Sequence, residues 1–405
     1  MHILLVSDSY PPEIRSISTM VRELAEGFVA RGHTVTIMTS YPQYNLSTEA
    51  KQTHFAVDTQ EGAIRVLRVK TLPHHKVPNV IRGLGQLTLP FFFKRAFRRY
   101  VSERVGAVVV YSPPLPLAQF GAWIKTRYGA KYLLNIQDIF PQNAIDLGLL
   151  RSSVLKKFFE RMESAAYQSA DALTTHTEGG KNFIIQKKRV PVRKISVISN
   201  WIDTAAYEHA RRTGMFRSRF GLEDKFIILF PGVLGPAQNL DYAIEIAREV
   251  SNIPEIIFLF VGEGTEKKQL EEKTRRYGLS NVRFESFVSA EQYPALVKDA
   301  DIGFLCLGSA NRTAAVPGKL WGFMAAALPV IGFLNKESEG HNIIRSARCG
   351  YAIVPERVED GAMLLRKMWA EREALKELGK NGYHYVRTHF SKEGCVGMIE
   401  KLLIV

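Results

Sequence analysis

The sequence predicts an α/β protein built from two Rossmann-like, doubly wound parallel sheets. Three observations carry this prediction: apolar strand patterns alternate with helical ones along most of the 405 residues, the alternation restarts near residue 225, and the length suits two domains. Strands that alternate with helices need crossover connections, which produce parallel sheets. We expect a first domain over residues 1–199, a second domain over 200–385 and a last helix over 386–405 that packs back on the first domain.

The first domain opens with a βαβ pattern. A strand at 3–7 precedes a helix whose apolar residues recur at helical spacing. Gly32 ends that helix, and Val35–Met38 forms the next strand. Further strands are predicted at 64–69, 107–111, 132–136, 172–175 and 195–198.

The second domain repeats the alternation. Strands are predicted within "FIILFPGV", "IIFLFVGEG", "VRFESFV", "DIGFLCLG", "PVIGFL" and "YAIV", with helices between them. Ligands of such sheets bind beyond the carboxyl ends of the strands. Two such domains in tandem therefore predict two substrate sites that face a central cleft.

The composition is that of an ordinary globular protein, with 46% hydrophobic and 23% charged residues. Cys306, Cys349 and Cys395 lie far apart, which argues against a disulfide framework and fits a reducing compartment such as the cytoplasm. The sequence predicts no signal peptide and no membrane-spanning segment. His74, His75 and His341 show no metal-ligand spacing, and we expect them to pack or to lie at the surface.

Positive charge is concentrated in the first half of the chain. The net charge is +14, and residues 1–200 hold 27 lysines and arginines against 14 acidic residues, whereas residues 201–405 hold 27 against 26. This asymmetry indicates that the first domain faces an anionic partner: nucleic acid, anionic lipid or a phosphorylated acceptor.

The segment 84–106 interleaves aromatic and basic side chains, a pattern typical of helices in a membrane interface. We expect it to meet an anionic membrane or the acceptor. A core-packed helix with a solvated basic face and a nucleic-acid-binding helix are the alternatives. The candidate membrane and acceptor residues are Phe91, Phe92, Lys94, Arg95, Arg98 and Arg99.

The stretch "AAVPGKLWGFMAAALPVIGFL" predicts a helix that begins at Pro317. Proline suits the first helical position, and the unpaired N–H groups of a first turn attract anions. Lys319 lies in that turn and Arg312 precedes it, so both are candidates to contact a phosphate. A solvated loop arginine is the alternative for Arg312.

Long stretches of the chain match one family. They include "NIQDIFPQNAIDLGLL", "GVLGPAQNLD", "FVGEGTEKKQLEE", "VPGKLWGFMAAALPVIG" and "ESEGHNIIRSARCGYAIV". On these stretches the sequence resembles the retaining glycosyltransferases of family 4, which have the GT-B fold. It is most similar to the subgroup with the N-acetyl-L-fucosamine transferases of O-antigen and capsule assembly.

The resemblance implies a hexosyltransferase on the inner face of the cell membrane. The second domain would bind a nucleotide-diphosphate sugar, with UDP as the nucleotide, and the first would bind a polyprenyl-diphosphate-linked saccharide as acceptor. No metal is expected, because the helix terminus and basic side chains would neutralise the leaving diphosphate. The resemblance also implies no other cofactor and no nucleic acid.

The resemblance also implies the site residues. The donor-binding set is Arg15, Ser16, Gly232, Gln238, Gly262, Glu263, Phe287, Arg312, Pro317, Gly318, Lys319 and Glu339. The catalytic set is Asp138, Gln137 and Lys319. Asp138 would orient sugar hydroxyls or accept a proton, and the alternative is a carboxylate that caps the following turn.

The chain departs from the family at four positions. Val233 and Gln238 replace an arginine and a lysine, and Ala314 and Gly322 replace paired glutamates of which the second holds the ribose. Arg15 is then expected to supply charge to the diphosphate, with a solvated loop arginine as the alternative. Glu339 or Glu263 is expected to replace the ribose carboxylate, although an acid before a helix is also favoured by the dipole.

Two other functions fit the same residues. The four departures are compatible with a catalytically degenerate GT-B protein that binds a partner or acts as a scaffold. An epimerase of the same fold would use carboxylates and histidines on one nucleotide sugar without a lipid. Specific nucleotide binding distinguishes an enzyme from a scaffold, and the basic aromatic segment disfavours the epimerase.

Overall fold

The computed structural model describes residues 1–46, 48–75, 77–146, 148–289, 291–308 and 316–404. The chain divides into two compact units. The first domain comprises Met1–Asn200 together with Lys392–Val405, and the second comprises Trp201–Ser391.

The first domain contains an eight-stranded sheet in the order β3-β4-β2-β1-β5-β6-β7-β8. Neighbouring strands pair in parallel, except that β3 runs antiparallel to β4. The strands are β1 (His2–Ser7), β2 (Thr34–Ser40), β3 (Asp58–Glu61), β4 (Ile64–Val69), β5 (Ala107–Ser112), β6 (Lys131–Ile136), β7 (Ala172–Thr175) and β8 (Ile195–Val197).

Within the described residues of this domain, seven α-helices connect the strands: α1 (Ser16–Ala30), α2 (Thr48–Gln52), α3 (Asn79–Tyr100), α4 (Ala118–Tyr128), α5 (Gln142–Asp146), α6 (Ser153–Ser169) and α7 (Glu178–Lys188). The predicted stripe of α1 is buried, including Val21, Leu24 and Phe28. Strands β1 and β5 are almost wholly buried because parallel sheets are covered on both faces. The polar strand β3 was not predicted, since "DTQE" carries no apolar pattern.

The second domain contains a six-stranded, wholly parallel sheet in the order β11-β10-β9-β12-β13-β14. The predicted strands are all present. They are β9 (Phe226–Pro231), β10 (Ile256–Val261), β11 (Val282–Glu285), β12 (Ile302–Cys306), β13 (Val330–Phe333) and β14 (Gly350–Ile353).

Nine helices belong to this part of the described chain: α8 (Ala205–His209), α9 (Met215–Phe220), α10 (Leu240–Glu249), α11 (Lys267–Arg276), α12 (Tyr293–Asp299), α13 (Lys319–Ala325), α14 (Gly340–Ala347), α15 (Val358–Ala370) and α16 (Leu375–His389). Helix α13 begins at Lys319 rather than at the predicted Pro317. The Leu320 N–H donates to the Pro317 carbonyl at 2.9 Å, so Pro317 and Gly318 form the turn that leads into the helix.

The last helix, α17 (Lys392–Ile404), packs against the first domain. A Cβ atom added at Gly27 of α1 would lie 2.9 Å from both Cγ atoms of Val396, so the two helices are in close contact. The Glu400 carboxylate bonds to Arg31 at 3.1 Å and to His33 at 2.7 Å. Within the described residues, no helix combines the length and the apolar character needed to cross a bilayer.

Shortening a buried side chain of α17 should destabilise the first domain. Ile399 is 0% exposed, and Ile399→Ala should cost about 2–4 kcal/mol because it removes buried methyl groups and leaves a cavity. Urea unfolding measures this loss. Ile404 on the same helix is 64% exposed and provides the control, with an expected change within about 0.5 kcal/mol. Equal effects of the two substitutions would show that α17 does not pack as described.

Candidate active site

A cavity of about 290 Å³ opens at the carboxyl edge of the first sheet, where β1, β5, β6 and β7 end. Four of the predicted residues line it: Arg15, Ser16, Gln137 and Asp138. The structure adds polar side chains that the sequence analysis did not select, namely Tyr111, His176 and Asn200. Residues at or after the ends of five strands, β1, β5, β6, β7 and β8, therefore meet in one pocket.

The pocket contains an acid and a base whose pKa values are both shifted by burial. Burial raises the pKa of Asp138, although the nearby His176 and Arg15 act in the opposite direction. Burial lowers the pKa of His176, against the effect of Asp138. Burial therefore favours the neutral form of both side chains, a kind of shift that occurs at many ligand-binding sites.

Three buried polar atoms in this pocket have no hydrogen-bond partner among the described residues: the Tyr111 hydroxyl oxygen, His176 Nδ1 and Asn200 Oδ1. The other ring nitrogen of His176 interacts with the backbone carbonyl of Ile136 and therefore carries the hydrogen. In the neutral ring, Nδ1 is then an acceptor. Buried polar groups are nearly always paired, so these atoms indicate a place for a ligand or water.

One local signal could have revealed His176 and Asn200 in the sequence. His176 directly follows β7, as Asp138 closely follows β6, and Asn200 follows β8 within a few residues. Polar side chains after consecutive parallel strands share one edge of the sheet. The position of Asp138 after β6 fits this rule, and its extension to the next two strands identifies both residues.

In the second domain, the loops after β9 and β10 are in backbone contact. A Cβ atom at Gly262 would lie 1.8 Å from the Gly232 carbonyl oxygen, and one at Gly264 would lie 2.0 Å from that of Leu234. Neither glycine can be replaced without moving the backbone. The predicted "VGEG" turn is therefore shaped by close packing at the edge of the sheet.

Lys319 lies against this pair of loops. Its Nζ atom is 4.5 Å from the centre of the Phe230 ring, and its Cε atom is 2.9 Å from the position of a Cβ added at Gly232. Burial lowers the pKa of Lys319 to about 8, with Cys306 acting weakly in the opposite direction. Among the described residues, no carboxylate lies within ion-pair distance of this ammonium. The arrangement leaves a partly buried cation that an anion can neutralise.

The remaining donor residues lie at the same edge of this sheet. Pro317 is close to the start of α14, since a Cβ atom at Gly340 would lie 3.5 Å from its Cδ atom. Glu339 immediately precedes α14 and is partly buried. Gln238 ends a short 3₁₀ helix, Gly318 is exposed beside Lys319, and Phe287 is exposed after β11. Arg312 and Ala314 lie outside the described residues.

The surroundings of Glu263 and of Gly322 bear on which side chain could bind the ribose. The Glu263 carboxylate is half exposed and pairs with Lys267 at 2.8 Å, and this hydrogen bond lowers its pKa. Gly322 is buried, and a Cβ atom there would lie 3.0 Å from the Tyr207 hydroxyl and 3.4 Å from the Tyr293 ring. The space beside position 322 is therefore already occupied by the rings of Tyr207 and Tyr293.

The candidate membrane residues on α3 differ in how far they are exposed to solvent. Phe91, Arg95, Arg98 and Arg99 are exposed on α3, whereas Phe92 and Lys94 are partly buried. Lys94 and Arg98 both lie over the ring of Trp123, at 5.8 Å and 5.2 Å. Phe93 and Phe97, from the same run, pack in the core against Phe120.

The histidines expected to pack or to lie at the surface are of two kinds. His341 Nε2 lies 3.3 Å from the carbonyl oxygens of Leu334 and Asn335, a packing role. His74 and His75 instead both contact the carboxylate of Asp8. The spacing of the two histidines in the sequence did not reveal this cluster, because Asp8 lies far away in the chain.

Two family models of glycosyltransferases match the chain. Residues 16–201 match the family described as glycosyl transferase 4-like domain, and residues 215–385 match the family described as glycosyl transferases group 1. WcaI of Escherichia coli (strain K12), named as a colanic acid biosynthesis glycosyl transferase, is 28% identical over 338 residues, which cover 80% of this chain and 81% of WcaI.

Two solved structures share the fold over nearly the whole chain. Anabaena HepE in complex with UDP superposes with a TM-score of 0.71 at 16% identity and covers 100% of both chains. WaaG, a glycosyltransferase involved in lipopolysaccharide biosynthesis, superposes with a TM-score of 0.67 at 16% identity and covers 98% of this chain and 99% of WaaG.

Two parallel-sheet α/β domains with these structural neighbours define the GT-B class, which confirms the predicted fold. The two matched families together span most of the chain. The chain therefore belongs to the GT-B glycosyltransferases and is an enzyme that transfers a glycosyl group. The family 4 subgroup remains a prediction from the sequence.

Removing the Asp138 charge should not weaken the fold. Because burial raises its pKa, the folded state retains the proton to higher pH than the unfolded chain, whose aspartate pKa is about 3.9. The ionised carboxylate therefore destabilises the fold as the pH rises above that value. Asp138→Asn should be at least as stable as the wild type in urea at pH 7, and this advantage should vanish below the unfolded pKa.

Asp171 provides a control whose pKa is shifted in the opposite direction. Burial is the largest single influence and acts to raise its pKa, but the hydrogen bonds from Lys125 and the Tyr132 N–H, together with the charges of Lys125 and Lys131, outweigh burial and lower it. Its ionised form stabilises the fold above the unfolded pKa, and that contribution is lost as the pH falls through the folded pKa. Asp171→Asn should therefore be destabilised at pH 7. Equal destabilisation of both variants would contradict the placement of Asp138.

Proposed function

We propose that this enzyme transfers a sugar from a UDP-linked donor to a lipid-linked saccharide during assembly of a bacterial surface polysaccharide, with retention of configuration. The observation that carries the proposal is the Lys319 ammonium, which is partly buried at the carboxyl edge of the second sheet beside two glycine-rich loops. Relatives add support: HepE was solved with UDP, and WcaI and WaaG are named for colanic acid and lipopolysaccharide biosynthesis.

In this proposal the diphosphate lies beside Lys319. The ammonium would neutralise charge on the leaving phosphate, and the backbone N–H groups of Gly318 and Lys319 would add hydrogen bonds. Arg312 and Arg15 are further candidates for phosphate contact. Transfer would need no metal, because fixed positive charge performs the role of a divalent ion.

The ribose is proposed to contact the side of the site near α14. Glu339 immediately precedes that helix, is partly buried and lies on the same edge as Pro317. We favour Glu339 over Glu263 for this position beside Pro317. Phe287 is exposed after β11 and offers a ring against which the base can pack.

The first-domain pocket is proposed to hold the acceptor sugar. Asp138 and Gln137 would orient its hydroxyl groups, and His176 Nδ1 and Asn200 Oδ1 would accept hydrogen bonds from them. Several acceptors and donors in one partly enclosed pocket fit a polyhydroxylated ligand. We assign no protein nucleophile, since a retaining transfer is compatible with attack by the acceptor on the leaving-group side.

Lys319→Ala should lower kcat about a hundredfold, the scale of one lost charge stabiliser. Turnover of UDP-sugars with a lipid-linked acceptor, together with calorimetric titration of UDP, measures the effect. In the wild type, kcat/KM should fall as the pH rises through about 8, where the free enzyme loses this charge. Lys376→Ala, a substitution at an exposed lysine of α16, should leave kcat and kcat/KM unchanged.

Two outcomes would contradict this assignment. Normal turnover by Lys319→Ala would remove Lys319 from the site. Absence of nucleotide binding by the wild type would favour a scaffold over an enzyme of this specificity.

The proposed location is the inner face of the cell membrane, with α3 as the contact. Its exposed apolar side chains lie in the first two-thirds of the helix: Val80, Ile81, Leu84 and Phe91. Phe91 is 64% exposed, and the exposed arginines Arg95, Arg98 and Arg99 follow it. Exposed apolar side chains followed by arginines suit binding to an anionic leaflet, where each basic residue adds about 1 kcal/mol to the binding free energy.

The wild type should sediment with vesicles that contain anionic lipid, and release should increase steeply with salt. Replacing Arg95, Arg98 and Arg99 by glutamine should abolish sedimentation and leave UDP binding intact. A matched control removes three exposed charges from the second domain by replacing Arg357, Lys376 and Lys380. Sedimentation that is insensitive to salt, or lost equally in both triple variants, would refute the role of α3.

A further inference from the structure

A buried carboxylate joins two histidines in the first domain, in a cluster that the proposed transfer reaction does not use. Asp8 follows β1, whereas His74 and His75 lie between β4 and α3. Asp8 Oδ1 is 2.8 Å from His74 Nε2, and Oδ2 is 3.0 Å from His75 Nε2. The three side chains each offer a ligand atom, and these atoms lie within 4.8 Å of one another.

Both ring nitrogens of His74 face oxygen atoms that act as acceptors. Nδ1 lies 2.9 Å from the Leu72 carbonyl oxygen and must carry a hydrogen, because a carbonyl only accepts. Nε2 faces the Asp8 carboxylate, which also accepts the Ser40 hydroxyl at 2.5 Å. His74 therefore either carries a second proton or directs the Nε2 lone pair at a cation beside Asp8.

The contact at Nδ1 matches the second of these states. Metal-binding histidines nearly always donate the hydrogen of the other ring nitrogen to a carbonyl, a carboxylate or water, which holds the ring in place. The Leu72 carbonyl provides this contact for His74, which is fully buried. In that state the ring is held with the Nε2 lone pair towards a cation beside the carboxylate.

The charges near the cluster also favour a divalent cation. Asp8 is 4% exposed and Glu13 is 5% exposed, and within the described part of the chain no lysine or arginine pairs with either. Glu13 accepts hydrogen bonds from the Ser9 hydroxyl and from the Gln43 and Tyr44 N–H groups.

The ring centres of His74 and His75 are 4.3 Å apart, so two imidazolium rings at these positions would repel. A single divalent ion bound by two neutral rings avoids that repulsion and neutralises the Asp8 carboxylate.

We propose that Asp8, His74 and His75 bind one divalent transition-metal ion, with Zn²⁺ as the best match. Two imidazole nitrogens and one carboxylate oxygen are ligands that Zn²⁺ accepts, at about 2.0–2.2 Å. Tetrahedral ligands at that distance lie roughly 3.3 Å apart, so the present contacts would open by a few tenths of an ångström. The ion would tie the end of β1 to the segment that leads into α3.

Metal titration of the full-length chain tests this proposal without a nucleotide or an acceptor. The protein is purified without a polyhistidine tag, stripped with a chelator and titrated with Co²⁺, whose visible absorption reports coordination. We expect one Co²⁺ per chain, displaced by one Zn²⁺. Asp8→Asn and His75→Gln should each weaken binding roughly a hundredfold. The control His54→Gln, at an exposed histidine of the same domain, should bind as the wild type does.

The wild-type titration decides the proposal even where a variant fails to fold. Substoichiometric binding by the wild type, or an affinity equal to that of His75→Gln, would overturn it and leave an imidazolium–carboxylate pair. His75 is at the edge of the cluster, with 13% of its side chain exposed, so His75→Gln is the variant less disturbing to the fold. Thermal unfolding supplies a second readout, since Zn²⁺ should raise the Tm of the wild type and not that of His75→Gln.

Discussion

The parallel direction of the strands is the constraint on which both candidate sites depend. Strands that run in the same direction deliver the loops that follow them to one edge of the sheet. In the first domain this brings Asp138, after β6, next to His176, after β7. In the second domain it brings the loop at Gly232 into backbone contact with that at Gly262, and Lys319 lies against them.

At these edges the chain maintains charges that the fold itself does not neutralise. The pKa of Lys319 is lowered by burial and that of Asp138 is raised by burial, so each charged form is less favourable in the folded protein than in water. Such groups reduce stability. An anionic donor beside Lys319 and sugar hydroxyls beside Asp138 would restore the missing interactions, which links this cost to ligand binding.

Helix α3 shows how one segment serves both the core and the surface. Phe93 and Phe97 contribute to the buried cluster of the first domain, while Phe91 and Arg95 point to solvent on another side of the helix. The core contacts fix the rotation of the helix and thereby determine which residues remain exposed. The membrane proposal rests on that exposed set, and the metal proposed at Asp8 would hold the segment that precedes it.

The sequence by itself determined the two parallel sheets, the strand ends and the individual candidates Asp138 and Lys319. Those features depend on local patterns: apolar runs for buried strands, helical spacing, and polar residues directly after a strand or at the start of a helix. Only the tertiary structure placed His176 and Asn200 in the pocket of Asp138, closed the space at Gly322 with Tyr207 and Tyr293, and joined His74 and His75 to Asp8. These contacts link residues distant in the chain, and their geometry is decided by strand order and packing, about which spacing in the sequence carries no information.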